Sequence, residues 1–134
     1  SHYVWLPDWK GEYQQDYGKL VKKRSSEWRG FADKSQLTYF PSVSPGWDAT
    51  PRAAAKGYHR PEQYPWWPVV VNEDPELFYD FLGRAIRYTK EFNNPQLSFI
   101  ASWNEWSEGH YLEPDKRFGT AWLEAVRKAK QDAV

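Results

Sequence analysis

Leu97-Ser98-Phe99-Ile100-Ala101 runs directly into Ser102-Trp103-Asn104-Glu105-Trp106-Ser107-Glu108-Gly109-His110-Tyr111-Leu112-Glu113-Pro114-Asp115. The first five residues have the length and apolar character of a buried strand. The residues after them are poor core material: two carboxylates three positions apart, framed by two tryptophans and an asparagine. They suit a sugar-processing site, because carboxylates move protons to and from sugar oxygens and indole faces stack on the apolar faces of pyranose rings. A buried strand that empties into such a loop is the local pattern of a parallel α/β fold, in which chemistry collects at the C-terminal ends of the strands.

The neighbouring segments extend that pattern in both directions. Upstream, Asp74-Pro75 is a helix start, with a capping side chain followed by proline at the first helical position. Leu77, Phe78, Phe81, Leu82, Ala85, Ile86 and Phe92 give this helix an apolar stripe, and Asn93-Asn94-Pro95 ends it. Downstream, a last helix is expected from about Thr120, with Trp122, Leu123, Val126 and Ala129 on one side. Val69-Val70-Val71 reads as a short extended piece, and Leu37-Thr38-Tyr39-Phe40-Pro41-Ser42-Val43 as a strand whose regularity Pro41 limits. Between them, Ser44 to Pro68 is rich in proline and glycine, the length and chemistry of a functional loop. Tyr13, Tyr17, Leu20, Val21, Trp28 and Phe31 recur at helical spacing, with Lys19, Lys22, Lys23 and Arg24 on a solvated face. Tyr3-Val4-Trp5-Leu6 is a candidate first strand, ended by Pro7. The order is therefore strand–helix, strand–loop–helix, strand–loop–helix: about three β/α units in one domain over residues 1–134, with no repeat and no linker.

Composition sets further bounds. Aromatics make up 19% of the 134 residues, with nine Trp, nine Tyr and seven Phe. That surplus has two readings, a core filled with rings or a carbohydrate cleft. Lys plus Arg and Asp plus Glu number 18 each. The resulting zero net charge gives no electrostatic footprint for nucleic acid or an anionic membrane. Cysteine is absent, which removes disulfides and thiol chemistry. Methionine is absent too, so the chain is expected to be a piece of something larger whose leader, if any, lies outside it. The compartment is left open between cytoplasm and the periplasm or exterior. No apolar run approaches the ~18 residues of a membrane span.

Two constellations carry candidate chemistry. On a helical turn, Glu105 and Glu108 would be neighbours, and their mutual repulsion would push their proton affinities apart, leaving one as acid and the other as base. The plain alternative is two solvated glutamates on a surface loop. In Gly46-Trp47-Asp48-Ala49-Thr50-Pro51-Arg52, Trp47 offers a stacking face, while Asp48 and Arg52 either bind hydroxyls or simply pair to brace the loop. His110 is a candidate sugar ligand or a hydrogen-bonded spectator, and His2 and His59 lie in irregular stretches expected to be exposed. Glu113-Pro114-Asp115 and Arg117 are read as bracing the final helix. No spacing of metal ligands, phosphate-binding glycine loop or Gly-x-Ser-x-Gly elbow occurs, so neither metal nor cofactor is expected. An Asp-x-Asp pair, used by many nucleotide-sugar transferases, is also missing.

Pro45 to Arg52, Trp103 to Gly119, the Asp74-Pro75-Glu76-x-Phe78 helix start and Trp122-Leu123-Glu124-Ala125 together resemble WbsX-type proteins, which are similar to glycoside hydrolase family 99. The resemblance spans roughly residues 37 to 129. It implies a (β/α)8 TIM-type barrel of which this chain is the C-terminal portion, and a carbohydrate substrate. It implies Glu105 as a general base on the sugar 2-hydroxyl and Glu108 as the acid on the leaving oxygen, in a retaining, substrate-assisted route through a 1,2-anhydro sugar. Trp47, Asp48, Arg52, Trp103, Asn104, Trp106, His110 and Tyr111 would contact substrate. Ser107-Glu108-Gly109-His110-Tyr111 follows the WbsX-like branch more closely than the endo-acting α-mannosidases of family 99. Members of that branch are often labelled glycosyltransferases of bacterial surface polysaccharide, which makes transfer the alternative to hydrolysis; a non-catalytic glycan-binding domain is the third reading. The isolated chain is expected to be inactive and to need the rest of the barrel, or another copy, to cover its open sheet edges.

Overall fold

The computed structural model describes residues 2–54 and 62–133. The chain is a mixed α/β unit built on two short parallel pairs. Strand β1 (Gln14–Asp16) lies beside β3 (Val69–Val71), in register Gln14 to Val69. Strand β2 (Ser42–Val43) lies beside β4 (Phe99–Ile100), in register Ser42 to Phe99. The Val70 amide donates to the Trp47 carbonyl at 2.8 Å, which ties β3 to the segment leaving β2.

Helix α1 (Tyr17–Ser35) follows β1, α3 (Pro75–Phe92) follows β3, and α4 (Ala121–Asp132) ends the chain; the one-turn α2 (Thr50–Ala54) lies between β2 and β3. Asp74 caps α3, accepting from the Glu76 amide at 2.8 Å, and Pro75 needs no partner for a missing N–H. Its stripe buries Phe78, Phe81, Leu82 and Ala85. Phe81 stacks on Trp28 of α1, and Phe78 meets Trp122 of α4 edge-on, so α3 is the central helix with α1 and α4 at its flanks. Much of the aromatic surplus is therefore core.

Tyr3–Leu6 is not a strand. Side chains take its end carbonyls: Ser42 donates to Tyr3, and Arg24, buried rather than solvated and paired with Glu27, donates to Leu6 and Pro7. Those carbonyls are thereby withdrawn from any sheet, and the Trp5 ring covers the guanidinium at 4.5 Å. His2 is part-buried against Trp5 and bonded to the Tyr39 hydroxyl, not exposed. Tyr13 precedes α1 instead of starting it: Asp16 caps the helix through the Lys19 amide, and Gln14–Asp16 form the strand that the sequence pattern did not indicate. The strands expected at 37–43 and 97–101 contract to two residues each, and the second is not buried: Leu97 and Phe99 are exposed on this chain, with Ile100 partly covered. His59 lies outside the described residues.

Candidate active site

The loop after β4 folds back on itself as a small hairpin. Strand β5 (Asn104–Glu105) pairs antiparallel with β6 (His110–Tyr111), and Trp106–Glu108 make the single 3-10 turn between them. Gly109 closes that turn at φ +67°, a conformation that disfavours a side chain. The turn rests on the Gly46–Trp47–Asp48 loop: the Asp48 amide donates to the Glu108 carbonyl at 2.8 Å. A Cβ at Gly46 would come within 2.7 Å of the Gly109 carbonyl oxygen, and one at Gly109 within 2.7 Å of the Asp48 amide nitrogen. The two loops singled out in the sequence are thus seated against each other.

Arg52, at the first turn of α2, joins the two carboxylates. Its guanidinium reaches Glu105 at 3.2 Å and Glu108 at 2.9 Å, and also donates to the Ser107 hydroxyl. Arg52 does not pair with Asp48, whose carboxylate instead accepts from the Thr50 amide. Because the Arg52 side chain is 43% exposed, its pairs are worth only about 0–1 kcal/mol each and can be exchanged for substrate hydroxyls. The glutamates have different surroundings. Glu105 is 36% exposed and Glu108 13% exposed at the side chain. The Ser107 hydroxyl, donating at 2.6 Å, holds the Glu105 carboxyl below the usual range, aided by the charges of Arg52 and His110. Glu108 lies deeper, bonded to Arg52 on one oxygen and to His110 on the other.

The expected lining residues divide into three groups. Trp103 and Asn104 are exposed, and Trp106 is 44% exposed. Trp106 stacks on Tyr111 with ring centres 3.7 Å apart, and its indole N–H donates to Glu113, so one face is held and the other is open. Trp106, Tyr111 and Asp48 border a cleft of about 290 Å³ together with Glu73 and Arg117. Glu108 borders a wider aromatic cleft of about 570 Å³, walled by Tyr3, Trp5, Trp9 and Tyr64. Trp47 stands between the two. It is buried, with its ring stacked between Tyr64 and His110, so it is a partition and not an open stacking platform. His110 is fully buried beneath Glu108 and cannot touch a sugar directly in this arrangement. Among the described residues, no group of three His, Cys, Asp or Glu is placed to hold a metal, and no helix is long and apolar enough to cross a membrane.

Ser107, Ser102, Tyr3, Trp9 and Tyr64 were not singled out from the sequence. The serines lie inside the loop itself, and a hydroxyl between two glutamates was the available signal. Asp115 is the brace expected of its segment: it accepts from the Phe118 amide, the Tyr111 hydroxyl and the Trp122 indole. Burial pushes the Tyr111 hydroxyl up to about 12, with the Asp115 carboxylate adding to the shift.

The model of the family described as Glycosyltransferase WbsX matches residues 7–126. The chain belongs to the WbsX family. The uncharacterized protein WxcX of two strains of Xanthomonas campestris pv. campestris, one of them B100, is 36% identical over 126 residues in each case. The match takes in 92% of this chain and 16% of each relative, so the WbsX-family chain spans about a sixth of the length of the curated relatives it matches. No solved structure matches.

Proposed function

We propose that this WbsX domain is the C-terminal portion of a (β/α)8 barrel and that its hairpin cleaves a glycosidic bond in an oligo- or polysaccharide. The observation that carries this reading is the asymmetry of two carboxylates on one turn. Glu105 is the more exposed and is kept ionised by Ser107, as a base must be; Glu108 is shielded and backed by an imidazole, as an acid can be. Glu105 removes the proton from the sugar 2-hydroxyl, the freed oxygen closes on the anomeric carbon, and Glu108 delivers its proton to the departing oxygen. Water then opens the 1,2-anhydro ring: Glu108 takes a proton from the attacking water, and Glu105 returns its proton to the 2-oxygen as the C1–O2 bond breaks. The open face of Trp106 and the exposed Trp103 supply stacking surface for the chain on either side.

Glu105→Gln and Glu108→Gln, each made in the full-length protein, are expected to lower turnover by about 10²–10⁴-fold while binding of the same glycan, followed by tryptophan fluorescence, persists. Undiminished turnover in either variant sinks the assignment. The family description favours a second reading, transfer of a sugar by the same cleft. Incubation with labelled nucleotide-sugars and polysaccharide acceptors separates the two: incorporation without hydrolysis of polysaccharide supports transfer. Glycan affinity with neither activity supports a binding domain.

A further inference from the structure

Behind Glu108 lies an imidazole to which the scheme above gives no task. His110 is fully buried, stacked on Trp47 at 5.5 Å and meeting the edge of Tyr3 at 5.9 Å. Its Nε2 is 3.0 Å from Glu108 Oε2, and its Nδ1 is 3.1 Å from Ser102 Oγ. Ser102 Oγ is also 3.1 Å from the carbonyl oxygen of His110 itself.

Counting hydrogens decides how these contacts are made. A hydroxyl has one hydrogen to give. With that hydrogen on the carbonyl, the Nδ1 contact is favourable only if Nδ1 carries a hydrogen and donates it to Oγ. The reverse assignment, hydroxyl to Nδ1, leaves oxygen lone pairs facing each other at the carbonyl. Ser102 therefore selects the ring form protonated at Nδ1. The Nε2 to Oε2 contact then also needs one hydrogen, since a bare ring nitrogen facing a carboxylate in a shielded position is repulsive. It is supplied either by a protonated Glu108 beside a neutral ring or by an imidazolium beside a carboxylate. Both forms hold the same number of protons. The remaining charged groups are Arg52, on the other Glu108 oxygen, and Glu105, reached through the same guanidinium; Trp47 and Tyr3 bring no charge at neutral pH.

We propose that Glu108 and His110 form a pair that stores the single proton delivered to the leaving oxygen, with Ser102 fixing the ring form that makes the store possible. This rests on Glu108 being the acid. His110 is a positioning residue: it holds the proton in the contact between Nε2 and Oε2 and fixes the direction in which that oxygen points. When the glycosidic bond breaks, the stored proton moves to the leaving oxygen, and the pair is left as a carboxylate facing the bare Nε2, a repulsive arrangement that favours recapture of a proton. The attacking water returns one proton, and the pair is restored.

Nitrogen-detected NMR on the full-length protein labelled at histidine reads the ring form without any substrate. A protonated Nδ1 on His110, shifting to the Nε2-protonated form in Ser102→Ala, is the expected result; an unprotonated Nδ1 in the unsubstituted protein overturns the proposal. The second arm compares a methyl glycoside with the 2,4-dinitrophenyl glycoside of the same sugar, whose leaving group departs without protonation. His110→Phe is expected to lose about 10²-fold in kcat on the methyl glycoside, with KM little changed and the dinitrophenyl glycoside cleaved nearly as before. Equal loss on both substrates overturns the proton-storing role. Cleavage of neither by the unsubstituted protein refutes the glycosidase reading itself, while the NMR result still decides the hydrogen count.

Discussion

Trp28 and Trp103 carry the same indole and are put to opposite uses. Trp28 is 2% exposed, stacked on Phe81 and edge-on to Tyr88 between α1 and α3. Trp103 is 54% exposed at the mouth of the hairpin, and among the described residues its part in the structure is through its backbone carbonyl, which accepts from Leu112 and Glu113. One ring fills space that would otherwise be a void; the other projects from a hairpin held by other groups. Aromatic content alone therefore indicates nothing about ligand binding until each ring is placed.

The contrast is tested most severely by truncating both rings in the full-length protein. Trp28→Ala is expected to cost about 3–5 kcal/mol, read as a lower denaturation midpoint, whereas Trp103→Ala should stay within about 0.5 kcal/mol and act on glycan affinity instead. Similar losses of stability in the two variants would break the distinction. A smaller effect is expected at the join between the regions, where Asp115 connects the hairpin to α4. Burial raises the proton affinity of its carboxyl, but the bonds from Phe118, Tyr111 and Trp122 together outweigh burial and leave it below the usual range. Asp115→Ala should cost about 1–3 kcal/mol. A group held low stabilises the fold above its unfolded value, and that contribution is lost as pH falls through its folded value. The unsubstituted protein should therefore lose the advantage over Asp115→Ala in acid, and a stability gap that persists at low pH would count against the role.

The smallest expected effect lies within the hairpin. Ser107→Ala removes the main cause of the lowered Glu105 carboxyl. That carboxyl then moves back toward the ordinary carboxylate range, the base is protonated at a higher pH, and the acidic limb of kcat/KM shifts upward with little change at neutral pH. An unmoved acidic limb would show that Ser107 does not set the base.

Local pattern carried some parts of this molecule and not others. Asp74-Pro75 and the stripe from Phe78 to Ala85 were legible because capping and helical periodicity act within a few residues. The hairpin was legible as a site because its residue types contradict burial. β1 was not, since Gln14, Gln15 and Asp16 are polar and take their strand form from pairing with Val69–Val71, more than fifty positions away. Arg24 was misplaced, and the Asp48 partner offered for Arg52 did not hold, for the same reason. Lys19, Lys22 and Lys23 suggested a wet face for Arg24, and the nearby Asp48 suggested a partner for Arg52. Their partners are the carbonyls of Leu6 and Pro7 in one case and Glu105 with Glu108 in the other. Long-range pairing is settled by topology, and a short window of sequence does not contain it. Trp47 illustrates a second kind of gap: a loop position suggested an open ring face, but Tyr64 and His110 stack on that ring.

Gly46 and Gly109 close the space between two loops that are sixty residues apart in the chain, each leaving no room for a methyl group on the other side. For anyone wishing to redesign this part of the molecule, the consequence is practical. The Gly-Trp-Asp segment and the Ser-Glu-Gly turn share one close seat, so a library that places larger residues at Gly46 or Gly109 alone is expected mostly to sample misfits. Transplanting both from a single donor, with their glycines intact, is the move that preserves the seat on which the carboxylates stand.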